Sequence, residues 1–344
     1  MRVRPRPRYA SRRLDWLRSD RRREASAAAL GNERNNRRFQ MDHYEINQRW
    51  QELAIVLEGK ETYGLYRSRL SDTANPFPAP EALAARLREL ATYEHVLILE
   101  YLYARCSLLT PEQARTKASE WPNLADDVEF ARHELLLVAV GEMRHLRWAN
   151  QILWELQHAG LVKPRGPSLG ISKVVPVGQQ TRPRQLALLG PETLQRFVDV
   201  EEPSGGVDGA YARVVATLRD SAYPPTAYQL AGRIIADGMQ HFTRFREIQL
   251  VLQSYFPRAP KPGFEPPYLR KLTPASPTAP DAKAALDLYR GLLDSLRKAY
   301  AKGDMEDAAN IITARQAMLD LDAAAEKLAS QGLGVPFFAL DEAA

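Results

Sequence analysis

The chain has 344 residues, 45% hydrophobic and 26% charged, the balance of an ordinary globular protein with enough material for a sizeable core. No apolar run reaches the roughly 18 residues that a membrane span requires, and the start lacks the apolar stretch of a signal peptide. A single cysteine, Cys106, excludes an internal disulfide and any cysteine-built zinc site, and a reducing, cytoplasmic setting is the expectation. The net charge of +5 is unevenly spread: residues 1–40 hold 13 Arg and four acids for a local +9, leaving −4 on the remainder. No aromatic stacking set or recognition motif accompanies these arginines. Residues 1–40 therefore read as a disordered basic tail, with Met41 as an alternative start, and neither nucleic acid nor membrane is the expected partner.

Residues 41–79 read as a helical extension, because Ile46, Trp50, Leu53 and Leu57 recur at helical spacing and three prolines close the segment. Four periodic segments follow. The first, Pro80 to Leu109, carries the stripe Leu83, Leu87, Leu90, Glu94, Leu97 and Tyr101. At about 100° per residue these positions share one face, so Glu94 stands in a core position. The second, Asn123 to Ala159, keeps its period through Val128, Ala131, Leu135, Val138, Glu142, His145, Ala149, Ile152 and Leu156. Only Glu142 and His145 break its apolar character.

Residues 161–191 have no helical period and read as a long ordered connection with a short strand at Lys173–Val177, of the kind that often carries function. A short helix over Glu192–Glu202 presents Leu194, Val198 and Glu201 on one side. The third bundle helix, Val207 to Asp220, has Val207, Tyr211, Val214 and Leu218 on its stripe and no carboxylate. The fourth, Ala227 to Phe256, runs Leu230, Ile234, Asp237, His241, Phe245, Ile248 and Leu252. Residues 80–256 thus predict an all-α four-helix bundle. Eight prolines between 257 and 280 predict a linker. Residues 281–344 predict a helical hairpin packing on the bundle, its helices joined at Gly303 with Asp304 as N-cap.

Burying a carboxylate costs several kcal/mol, roughly, unless it is paired, protonated or bound to metal. Glu94, the Glu142/His145 pair and the Asp237/His241 pair all replace apolar residues in mid-stripe and can meet at one level of the bundle. Carboxylate and imidazole contributed by facing helices is the plan of di-metal carboxylate bundles. Such donors suit iron, manganese or zinc. The competing reading is a buried polar network, in which Glu94 pairs with an arginine such as Arg144 or Arg233. His133 and Glu134 border the second stripe and suggest surface or supporting roles. Tyr93, Tyr101 and Tyr103 read as packing residues, and Cys106 as a core filler.

At these residues the sequence resembles ferritin-like proteins of the iminophenyl-pyruvate dimer synthase type. Glu94-His95 with Tyr101-Leu102 resembles that family's first helix, and Glu142-Met143-Arg144-His145-Leu146 with Ala149-Asn150 and Leu153 is similar to its second. Phe197 through Pro203, containing Glu201, looks like its Phe-…-Ile-Glu-x-Pro segment, and Asp237-Gly238 with His241-Phe242 and Phe245 looks like its fourth helix. The resemblance covers roughly residues 80–256. Carried across residue by residue, it implies Glu94, Glu142, His145 and His241 as metal ligands and adds Glu201. Asp237 stands where the family usually has Glu, and the third helix offers only Tyr211 on its stripe and Asp208 beside it. One ion or a lopsided pair is therefore expected.

The resemblance implies an iron- or manganese-dependent oxidoreductase, or natural-product tailoring enzyme, acting on a small amino-acid-derived substrate. Zinc is the alternative metal, and a homo-oligomer is compatible with the fold. The alternative function is a non-catalytic helical protein that keeps a structural metal or polar network and binds a partner. Iron storage is disfavoured, because the added helices and linker hinder cage packing.

Overall fold

A computed structural model describes residues 74–340, apart from 178–179, 203–206, 258–262 and 304–307. The expected basic tail, residues 41–73 of the expected helical extension and the Asp304 cap lie outside the described residues. Helix α1 spans Pro80–Cys106 and opens on a proline whose fixed φ suits a first helical turn. Helix α2, Pro111–Arg115, is held by a reciprocal capping box between Thr110 and Gln113. At five residues it is too short to leave a period in the sequence. Helix α3 runs Leu124–His158, α4 Pro191–Val200, α5 Val207–Leu218 and α6 Pro225–Leu252.

Helix α1 packs against α3 and α5, and α6 packs against the same two, closing a four-helix ring. Its core is built from the apolar stripes: Leu83, Leu87, Leu90, Leu97 and Tyr101 of α1 and Leu135, Val138, Ile152 and Leu156 of α3 are all sealed from solvent. In α6 the stripe is displaced from the expected Leu230, which is half-buried. Ala227 and Ala231 take the inner positions there, where small side chains allow a close approach.

The connection after α3 is tied down by side chains rather than by regular structure. Asn150 Nδ2 donates to Ser168 O at 3.1 Å, and Ser168 N donates back to Asn150 Oδ1 at 2.6 Å. His95, buried on α1, meets Leu169 O at 3.1 Å through Nδ1 and the Tyr289 hydroxyl at 2.6 Å through Nε2. Strand β1, Val174–Val177, pairs antiparallel with β2, Gln180–Pro183. The first matches the expected strand; its partner, with no apolar alternation, was not legible. Arg182 of β2 forks onto buried Glu100 at 2.9 and 2.7 Å and so anchors this ribbon to α1.

Helices α7, Pro280–Ala301, and α8, Ala308–Ser330, pack on one another and share an apolar cluster with α1 and α3. Strand β3, Thr273–Pro274, runs parallel to β4, Leu333–Gly334, at their base. A Cβ on Gly334 would lie 2.3 Å from the Tyr103 ring, so this contact requires glycine.

Ion pairs fasten α8 to the bundle and to the segment that precedes α7. Arg105 donates to Asp322 at 2.7 Å, Arg270 to Glu326 at 2.9 Å, and Arg132 also pairs with Glu326. Burial disfavours the ionised Glu326, but Arg132, Arg105 and Arg270 outweigh it and pull the carboxyl from 4.5 to about 2. A depressed carboxyl stabilises the fold fully above its unfolded value and ceases to do so as pH falls through the folded one. The shift is worth on the order of 3 kcal/mol, lost between about pH 5 and 2. Glu326→Gln is expected to remove this stabilisation at neutral pH and to flatten the acid limb of a denaturant-unfolding profile.

Candidate metal centre

Six ionisable side chains meet midway along the bundle, all at most 1% exposed: Glu94 from α1, Glu142 and His145 from α3, Glu201 capping α4, and Asp237 and His241 from α6. The helical period that aligns their Cα atoms with Leu and Ile neighbours is what forces them inward. Helix α5 brings the buried ring of Tyr211 and no described carboxylate; the Asp208 side chain lies outside the described residues.

The two imidazoles lie face to face, their centroids 4.9 Å apart and their planes 27° from parallel. Their Nδ1 atoms share one side. His145 Nδ1 is 3.2 Å from Glu142 Oε2 and 3.8 Å from Glu94 Oε2. His241 Nδ1 is 2.8 Å from Glu142 Oε1 and 3.8 Å from Glu201 Oε2. Glu142 therefore turns one oxygen to each ring. Glu142, His145 and His241 each offer one ligand atom, all within 4.8 Å of one another.

The Nε2 atoms share the other side and face a single oxygen. Asp237 Oδ2 is 3.3 Å from His145 Nε2 and 3.6 Å from His241 Nε2. Arg144 Nη2 reaches both oxygens of Asp237 at 3.0 Å. The sequence places Asp237 among the metal ligands and offers Arg144 as a partner for Glu94. The structure sets Asp237 across the rings from Glu94, Glu142 and Glu201, and gives Arg144 to Asp237. One methylene shorter than Glu, and four residues before His241 rather than three, Asp237 reaches the outer edge of the rings. Glu134 turns away to pair with Arg244.

Two contacts were invisible in the sequence. The Tyr101 hydroxyl, expected only to pack, donates a short hydrogen bond to Glu201 Oε1, and its ring is wedged edge-on against Phe197 and Phe245. Gly141 lies under His241: a Cβ there would stand 2.0 Å from Nε2. Neither residue interrupts a helical pattern, so no periodicity argument singles it out.

The buried charges of the cluster act strongly on one another. Burial works against ionised Glu142, but the His241 and His145 imidazoles outweigh it and hold its carboxyl well below the usual range. Both imidazoles are in turn raised: burial opposes their charge, and Glu142 with Asp237 overcomes it. Burial and the Glu142 charge push Glu94 and Glu201 upward. Even so, both oxygens of Glu94, Oε1 of Glu142, Oδ2 of Asp237 and both ring nitrogens of His241 make no hydrogen bond despite their burial. A buried polar atom left so costs about 1–3 kcal/mol, more when charged. Oxygen and imidazole donors with unspent valence fit a divalent transition ion, and this cluster could hold one.

Residues 87–234 match a family model described as Ferritin-like. That span includes Glu94, Glu142, His145 and Glu201 and stops short of Asp237 and His241. Among solved structures, the chain is similar to a ferritin-like protein from Caulobacter vibrioides, with a TM-score of 0.51 and 14% identity over 77% of this chain and 99% of that one. A search of curated proteins finds no match. No described helix is long and apolar enough to cross a membrane. The mostly helical ring, the family match and the structural likeness together show that this chain has a ferritin-like fold.

Proposed function

We propose that the protein is a metal-dependent oxidoreductase with a two-ion iron or manganese centre, acting on a small amino-acid-derived molecule. The observation that carries this reading is the double role of Glu142. It divides the donors into two sets that share one carboxylate: Glu94, Glu142 and His145 on one side, Glu142, Glu201 and His241 on the other. Zinc would also accept these donors, but a carboxylate-rich, imidazole-poor set favours the harder ions. Ions held there would supply one-electron chemistry with dioxygen.

The chain's own residues prepare the donors. Asp237 Oδ2, 3.3 and 3.6 Å from the two Nε2 atoms, favours a proton on each of them and so leaves each Nδ1 lone pair facing the carboxylates. Arg144 holds Asp237 in that position, and Tyr101 holds Glu201 by its hydrogen bond. The aromatic and aliphatic shell excludes water from the cluster.

The test is elemental analysis of protein purified without chelator, or loaded anaerobically with ferrous iron, beside His145→Ala/His241→Ala. Near two equivalents in the wild type and none in the variant would support the reading. Wild-type protein that takes up no metal would leave the polar network as the better account. Asp237→Asn tests the tautomer argument: metal affinity is expected to fall about ten- to a hundred-fold, the usual effect of losing an outer partner. Competition against a fluorescent chelator reads it directly.

A further inference from the structure

We infer that Arg196 forms a binding subsite for the carboxylate of a small molecule, next to the metal centre. Arg196 lies on α4, five residues before Glu201, and its guanidinium is unevenly used. Nη1 donates to Gln185 Oε1 at 2.7 Å. Nε and Nη2 are sealed from solvent and make no hydrogen bond. No described carboxylate pairs with this arginine.

Its surroundings make the unpaired edge more telling. Arg182, close enough to repel it, spends its charge on Glu100, which also accepts Gln185 N at 2.8 Å. Burial first, and Arg182 second, destabilise the Arg196 cation. Glu100 and Tyr101 offset this only in part, and Glu100 is already forked to Arg182, so Arg196 has no carboxylate of its own among the described residues.

The two idle nitrogens name the ligand. Nε–H and Nη2–H lie side by side on one edge of the guanidinium, two parallel donors whose spacing matches the two oxygens of a carboxylate. A single planar monoanion satisfies both donors and the surplus charge together. A dianion such as phosphate would leave negative charge uncompensated. The site adjoins the metal cluster through packed side chains: Phe197, the next residue, stacks edge-on against Tyr101 at 4.6 Å, and Tyr101 donates to Glu201. Resting on the metal-centre reading, the subsite would hold a substrate by its acid group and present the remainder toward the Tyr101 side of that centre.

The experiment is calorimetric titration of chelator-treated full-length protein with benzoate and acetate, with benzamide and inorganic phosphate as comparators. Saturable one-to-one binding of the carboxylates, none of benzamide and weaker binding of phosphate is expected. Arg196→Gln should weaken benzoate about ten- to a hundred-fold, the loss of one charged bidentate pair. Arg196→Lys, which keeps the charge without the fork, should weaken it as well. Melting temperatures show whether each variant folds, and Gln185→Ala, which leaves the idle edge intact, should keep benzoate binding. Absence of carboxylate binding, equal binding of benzamide, preference for phosphate, or unchanged binding in Arg196→Gln would each overturn the assignment. Metal content is measured on separate samples, so failure of the metal centre would not be mistaken for failure of this subsite.

Discussion

Gly141→Ala is expected to abolish metal binding while leaving the helices intact. The added methyl would stand 2.0 Å from His241 Nε2 and 2.5 Å from Cε1, distances no side chain tolerates, and the opposing atoms belong to a ring that cannot bend aside. The ring must leave its place beside Glu142 and Asp237. The same substitution helps α3 in isolation, because alanine favours a helix over glycine by about 1 kcal/mol. The expected signature is thus a pairing of opposites: metal content falling to the level of His241→Ala, with unchanged helical dichroism. Full metal content in the alanine variant would show that close helix approach at Gly141 does not position His241.

The second large effect is expected at Glu142. Its two oxygens serve both histidines, whereas Glu94 and Glu201 each serve one. Glu142→Gln keeps the shape but replaces one acceptor by an amide that cannot ligate on that side. Metal affinity should fall by more than about a hundred-fold, beyond the loss usual for an outer partner, and for both ions together. Glu94→Gln and Glu201→Gln should each lower the stoichiometry from two to one. Equal, partial losses from all three variants in metal titration would instead indicate a single ion that shares the whole cluster.

The fold and five of the six cluster residues were legible for one reason. A helix encodes its buried face locally, so a Glu, Asp or His in an apolar stripe announces itself within a few turns. Glu201 needed the family resemblance, because α4 is short and its carboxylate caps the helix. What escaped depends on distances between helices. Nothing in the spacing of Asp237 and His241 says that Asp237 faces Nε2 while Glu142 faces Nδ1. Arg144 and Arg233 were offered to Glu94 as possible partners; that Arg144 pairs with Asp237 depends on how α6 sits against α3. Tyr101 fits its stripe and Gly141 lies beside one, so their contacts with the cluster leave no trace in the spacing. The short α2 and the second ribbon strand fell below the length at which periodicity can be read.

The two-residue ladder between Thr273–Pro274 and Leu333–Gly334 has a bearing on how this chain can change length. The polypeptide leaves the body at one strand and returns at its neighbour, about 4.8 Å away in a paired sheet. Everything between is a closed excursion whose end points do not depend on what lies at its far tip. Added residues between α7 and α8 would leave both strand ends in place at about 0.6 kcal/mol of loop entropy for each doubling, as long as Gly303 keeps its buried contact with Trp154 of α3. Residues added between Asp237 and His241 would rotate one ligand away from the other. The molecule thus has one region free to diverge in length and another where a single insertion is intolerable.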